Sequence, residues 1–313
     1  MVRMAWVFAM ALSGVLHAGA TRAEGPVFRF TTAEAGRAIL GTRDDFVSAL
    51  SPFDRAARLK TDQPVAEAAY LDFVAGSVGT WSPEERAGVE AVIAEVRPGL
   101  EALSLSWPAA IDVVKTTGLE EGHAPYSRGT AIVIPASKLP RGAAFMRQVI
   151  PHEAFHVLTR RDPTLQRALY ATIGFKPCGP VVFPEAIRDR KITNPDAPLN
   201  DYCIDLTVAG KPVRAAPVLY STSAAYDVAK GGEMFAYLQF RFLVVEGEAP
   251  GRLLDPKEVS GFMEQVGRNT QYLIHPEEIL ADNFTILVLG RKDVPSPEVV
   301  QRMREVLRTF ARK

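Results

Sequence analysis

The chain has 313 residues, 47% of them apolar, and its 36 basic side chains balance 36 acidic ones for a formal net charge of zero. With no basic stripe and no acidic tail, charge-driven binding to nucleic acid or to a membrane surface is excluded. The apolar content suffices for a buried core, in one large domain or two modest ones.

The chain opens MVRMAWVFAMALSGVLHAGATRAEG. Arg3 precedes an apolar run over residues 5–16, which is too short to span a bilayer. Small residues follow in two cleavage frames, Ala18-Gly19-Ala20 and Thr21-Arg22-Ala23. Residues 1–23 therefore read as an export signal, with an uncleaved anchor as the alternative, and no cysteine stands near the cleavage frames to accept a lipid. The expectation is a periplasmic or secreted protein whose mature part, 24–313, is a single domain with no stable membrane insertion. Cys178 and Cys203 are the only cysteines, and export favours their pairing as a disulfide. Closing that loop would add about 3 kcal/mol in the chain-entropy model.

Residues 24–105 form a helical N-terminal part. Residues 66–74 carry apolar positions at helical spacing. Ser82-Pro83-Glu84-Glu85 is a helix start with a capping serine, a proline at the first position and a glutamate three residues on. That helix meets its end near Pro98-Gly99. Two β-rich runs follow, IDVVKTT (111–117) and GTAIVIP (129–135), the second bounded by Gly129 and Pro135.

RGAAFMRQVIPHEAFHVLTRRD (141–162) is helical by its apolar spacing, and Asp162-Pro163 ends it and caps the next helix, PTLQRALYATI. Pro151 must either kink this helix or open a new one just before His152. TNPDAP (193–198) is turn-like, and CIDLTVAGKPVRAAPVLY reads as a hairpin about Gly210-Lys211. MFAYLQFRFLVVE (234–246) is too apolar for periodicity to separate strand from helix. Helices are expected near 256–267, 276–289 and 297–311. The fold class is α+β.

The sequence His152-Glu153-Ala154-Phe155-His156 lies within the helical segment. Histidines four apart share one face of a helix, so both imidazoles can hold one Zn²⁺. Glu153 stands beside the metal without being a ligand and is able to take a proton from a water there, whose pKa zinc lowers toward ~7.

These residues resemble the metal segment of the zincin metallopeptidases. The resemblance covers this helix and the segment 276–289, a small part of the chain. Metzincins continue with a glycine and a third histidine, but here those positions are Thr159 and Asp162. Asp162 stays open as an aspartate ligand, although its place at a helix start points to capping. His123 and His275 sit in no ligand pattern. Gluzincins take a glutamate from a second helix in a Glu-x-x-x-Asp pattern, whose aspartate bonds the far nitrogen of the first motif histidine.

That spacing occurs twice, as Glu185 to Asp189 in FPEAIRDRK and as Glu278 to Asp282 in HPEEILADNFTILVLG. The first lies on a short, charged segment. The second starts a long apolar helix, where a buried pair of carboxylates needs a cation or protons. Glu278 is therefore preferred as third ligand with Asp282 behind His152, and Glu277, which lacks a partner four residues on, ranks last. Ala281 would let this helix approach the histidines closely.

The resemblance implies a zincin-like fold, mostly helical with a small sheet beside the motif helix. It also implies a zinc-dependent hydrolase acting on a peptide or protein. GTAIVIP stands where zincins place the edge strand that pairs with substrate, or else is an ordinary sheet strand. An oxyanion-stabilising group would come from His275, Tyr272 or Tyr202, with His275 ahead because it precedes the ligand helix. Two rivals share the metal: a non-enzymatic module with a structural zinc and a closed fourth position, and an amidase acting on a cell-wall amide.

Overall fold

Ile111–Thr116 (β2), rich in β-branched residues, is the spine of the first sheet. In the computed structural model, which describes residues 25–247 and 250–311, Phe28–Phe30 (β1) and Ala131–Pro135 (β4) lie parallel on either side of it. Tyr126–Arg128 (β3) pairs antiparallel with β4, giving the order β1-β2-β4-β3. The expected export signal lies outside the described residues. GTAIVIP is thus an interior strand and not an edge. The edge is β3, whose Tyr-Ser-Arg carries no apolar alternation by which to recognise it.

Every residue of β4 is buried because helices cover both faces. Ile132 and Ile134 point into the main core, with Val92, Val96 and Ile150. Ala131 and Val133 point the other way, into a second cluster with Leu40, Tyr70 and Val74. This is the two-residue period of a strand applied to an uninterrupted apolar run.

The N-terminal helices are Ala33–Leu40 (α1), Asp45–Ala49 (α2), Pro52–Arg58 (α3), Glu67–Gly76 (α4) and Pro83–Glu101 (α5). The capping box at Ser82 and Glu85 starts α5 as the sequence requires, but Pro98 does not end it. Gly142–Arg161 (α6) is one continuous helix with Pro151 inside it, so the motif helix does not restart at His152. Asp162 accepts from the Thr164 and Leu165 N–H groups and caps Pro163–Ala171 (α7), which settles its role as a cap.

Phe175–Pro177 (β5), Tyr202–Val208 (β6), Lys211–Ser221 (β7), Leu238–Glu246 (β8), Leu253–Leu254 (β9) and Val259–Ser260 (β10) make the second sheet, in the order β10-β6-β7-β8-β9 with β5 also on β6. The hairpin turns at Ala209-Gly210, both with positive φ, one residue earlier than the sequence suggests. A disulfide joins Cys178 to Cys203, from the end of β5 to β6. The ambiguous run 234–246 is a strand after one turn of 3₁₀ helix, because it finds pairing partners on both sides.

The remaining helices are Glu185–Arg188 (α8), Phe262–Val266 (α9), Pro276–Val288 (α10) and Pro297–Phe310 (α11). The helix expected over 256–267 is instead a 3₁₀ turn, the strand β10 and the five-residue α9. Gly261 and Gly267, both with positive φ, bracket α9 and stop it at either end. Among the described residues no helix is long and apolar enough to cross a membrane.

α5 meets α10 where a side chain has no room. A Cβ on Gly99 would lie 2.2 Å from the Val288 carbonyl oxygen, whereas one on Gly88 in the same helix would meet nothing within 4 Å. Gly99→Ala should therefore lower stability by about 1–3 kcal/mol through overpacking. Gly88→Ala should raise it by about 0.5–1 kcal/mol, as Gly→Ala does in an open helix interior. Urea unfolding of the two variants reads the difference, and equal stability would mean that the helices do not approach as described.

Candidate metal centre

α6 and α10 pack against each other in the main core, with Ala154 and Ala281 both fully buried. α6 presents His152, Glu153 and His156, and α10 presents Glu277, Glu278 and Asp282. The two imidazoles are 4.8 Å apart, one helical turn along the same face. Each ring has its Nδ1 held by a carboxylate of the opposite helix, at 2.9 Å to Asp282 for His152 and at 3.1 Å to Glu277 for His156. A carboxylate there fixes the ring orientation and directs the Nε2 lone pair the other way.

Both Nε2 atoms face Glu278, whose Oε2 is 3.0 Å from that of His152 and 3.7 Å from that of His156. Zinc bonds of ~2.0–2.2 Å in tetrahedral geometry place ligand atoms roughly 3.3 Å apart, so these separations bracket the requirement. His156 Nε2 is buried without a hydrogen-bond partner, as a ligand atom would be. Glu278 Oε1 accepts from Asn194 Nδ2 at 2.5 Å, and Asp282 Oδ2 accepts from the Thr270 hydroxyl. His152, His156 and Glu278 thus form a buried group able to hold a metal ion, and Glu153, His156 and Asp196 form a second, overlapping one.

Electrostatics agree with the geometry. Burial disfavours the cation on both imidazoles, yet the carboxylates outweigh it. Asp282 and Glu278 raise His152 well above its ordinary value, and Asp196, Glu278 and Glu277 raise His156 to about 9. Burial opposes the anion at Glu278, but the two histidines and Asn194 bring it down to about 2. Burial and Asp196 push Glu153 up to about 8, against the pull of both histidines. The centre therefore calls for positive charge. A divalent cation on the Nε2 atoms would supply it and release the imidazole protons.

Access is uneven. His156 is fully buried, Glu278 and Glu153 are nearly so, and His152 keeps 17% of its side chain exposed. Tyr272, 43% exposed, stands at the rim, close enough to Glu278, Asp196 and Glu153 to feel their charge.

The other candidates fall elsewhere. Glu185 is exposed on the four-residue α8 and belongs to neither group. His123 faces the Ser137 hydroxyl. Tyr202 packs edge-on against Tyr170, with 4.5 Å between ring centroids. His275 is buried as the N-cap of α10, where its Nδ1 accepts from the Glu277 N–H.

Two residues are not singled out by the sequence, and a third, Glu277, stands there only as the last-ranked ligand and not as the partner of His156. Glu277, only 1% exposed, accepts from the Thr159 hydroxyl, from Tyr170 Oη at 2.5 Å and from Gln166 Nε2 at 3.4 Å, besides facing His156. Its partners come from α6 and α7 and not from its own helix, so no local spacing announces them. Asn194 and Asp196 sit in TNPDAP, which its sequence marks only as a turn. Compared with known protein families, curated proteins and solved structures, the chain matches none.

Burial holds His275 down from 6.5 to about 4 despite the neighbouring Glu277 and Glu278. A lowered histidine stabilises the fold fully above its unfolded value, and the contribution is lost as pH falls from about 6.5 through 4. At roughly 1.4 kcal/mol per pH unit this is on the order of 3 kcal/mol. His275→Asn keeps a capping side chain that does not titrate, so its stability should fall less than the parent's between pH 7 and pH 4.5. Urea unfolding at both pH values checks this, and equal losses would contradict the assignment.

Proposed function

We propose that the protein is an exported zinc-dependent hydrolase of gluzincin type, most simply a metallopeptidase acting on a peptide or protein. The observation that carries this reading is the convergence of His152, His156 and Glu278 from two helices, each imidazole oriented by a carboxylate at Nδ1. Export rests on the N-terminal sequence, with the Cys178–Cys203 disulfide in agreement.

His152, His156 and Glu278 would hold the zinc, which when bound polarises a substrate carbonyl and acidifies water. Asp282 and Glu277 keep the two rings in the tautomer that leaves Nε2 bare. Glu153, one residue from His152 on the same helix, is the base that takes a proton from water and passes it to the departing amine nitrogen. Its Oε2 is buried without a partner, so nothing in the protein competes for that proton.

A second reading, a non-catalytic centre closed by the chain itself, draws on Asp196, which stands with Glu153 and His156 in the overlapping group. An amide bond outside a protein, as in a cell wall, would demand the same chemistry from the same residues.

The purified protein should carry about one zinc per chain, the stoichiometry of a single three-ligand site. Glu278→Ala should strip the metal, whereas Asp282→Ala and Glu277→Ala should each weaken it about 10- to 100-fold as supporting partners do. Glu185→Ala should leave it unchanged. Metal analysis against a competing chelator gives the order, and metal loss in Glu185→Ala with retention in Glu278→Ala would reverse the assignment.

Glu153→Gln should retain zinc and fold while hydrolysis disappears, because the ligands remain and the base does not. Parent-level turnover by that variant, on any substrate the parent cleaves, would remove Glu153 from the reaction.

A further inference from the structure

We propose that residues 195–197 are a built-in plug across a substrate cleft running along β3 over the metal centre, and that an extended peptide must displace it to reach Glu153. The inference rests on the zinc-hydrolase reading above.

β3 is an edge strand of its sheet, on the side of α6, and a sheet edge is where an extended peptide adds as a further strand. The Ser127 N–H at its middle does not wait for a partner. It donates to Asp196 Oδ1 at 2.7 Å, and the Ser127 hydroxyl donates to the same oxygen at 2.6 Å. The carboxylate takes the place of the carbonyl that an incoming strand would offer. Arg160 clamps the arrangement with bonds to the Ser127 hydroxyl and to the Pro195 and Asp196 carbonyls.

Two cavities flank this contact. One of about 420 Å³ is lined by Arg128 and Gly129 at one end of β3, and one of about 240 Å³ by Tyr126 at the other. Pro195 and Asp196 line both, so this segment is the wall between them. The smaller cavity is faced by Ile192, Leu219 and Leu238, which suits an apolar side chain.

The plug also touches the chemistry. Asp196 offers a carboxylate oxygen within 4.8 Å of the motif atoms of Glu153 and His156. The two unpartnered buried atoms of the centre, Glu153 Oε2 and His156 Nε2, belong to those same residues. Upstream, Thr193 is fixed by Asp54 and Arg58 and Asn194 by Glu278, so displacement begins after Asn194.

The test compares the parent with Asp196→Ala and Arg160→Ala, each at known zinc content, using a dipeptide hydroxamate and a mixture of quenched fluorescent peptides. A plug that occupies the cleft in about nine molecules of ten weakens apparent affinity about tenfold. Both variants should therefore bind the hydroxamate about tenfold more tightly than the parent and cleave the peptides correspondingly faster. Arg160→Ala decides the matter if Asp196→Ala does not fold, since Arg160 releases the segment without touching the centre. Variants that carry zinc yet bind no better, or that lose binding and cleavage together, would overturn the plug while leaving the zinc site intact. A parent without zinc would overturn the hydrolase reading and the plug with it.

Discussion

Two buried carboxylates on one helix facing two imidazoles on another set the terms for the rest of this molecule. Glu277 and Glu278 are adjacent on α10, and each is about 1% exposed. Taking a carboxylate out of water costs several kcal/mol, even after relaxation, unless charge and hydrogen bonds compensate. Glu277 has four polar partners on α6 and α7, and Glu278 has both histidines and Asn194. The packing of α6 on α10 and the chemistry of the centre are therefore one constraint. Removing the positive charge from the histidine side would leave the helix contact itself unstable.

A second buried ionic group stands at a distance and serves the first. Arg58, 3% exposed, bonds Asp54 at 2.8 Å and Glu121 at 2.7 and 2.9 Å. Burial still lifts Glu121 to about 7 against the guanidinium's pull. The same group holds both the N–H and the carbonyl of Thr193. The very next residue opens the segment that carries Asn194 to Glu278 and Asp196 to β3. A buried ion pair of this kind contributes little net stability, but it fixes a position. Here the position is where a loop crosses the metal centre.

The two sheets divide the remaining work. The first sheet sandwiches its apolar strands between helices and so sets α6 at a fixed height above β3. The second is largely a long antiparallel hairpin and its neighbours, tied at one end by the disulfide. It contributes Leu219 and Leu238 to the smaller cavity but no residue to the metal group.

Local chemistry was readable wherever short-range rules govern. The capping box at Ser82, the cap at Asp162, the motif face of α6 and the apolar helix after Pro276 all follow from spacing along one segment. So does the preference for Glu278 over Glu185, since a long apolar helix must be buried and a short charged one need not be. Contacts between segments decided everything else. β4 became an interior strand because β3, too short and polar to be seen, paired beside it. Glu277 became the partner of His156 through side chains on two other helices. His275 became a cap because the Glu277 N–H claimed its Nδ1. Asp196 reached the centre from a turn more than thirty residues past the motif. Spacing along a chain specifies which face a side chain occupies, but what it meets there is a property of the packed fold. The sequence alone thus determined the two histidines, the glutamate between them and the helix that would supply their third partner. Only the tertiary structure decided how each ring is held and what lies across it.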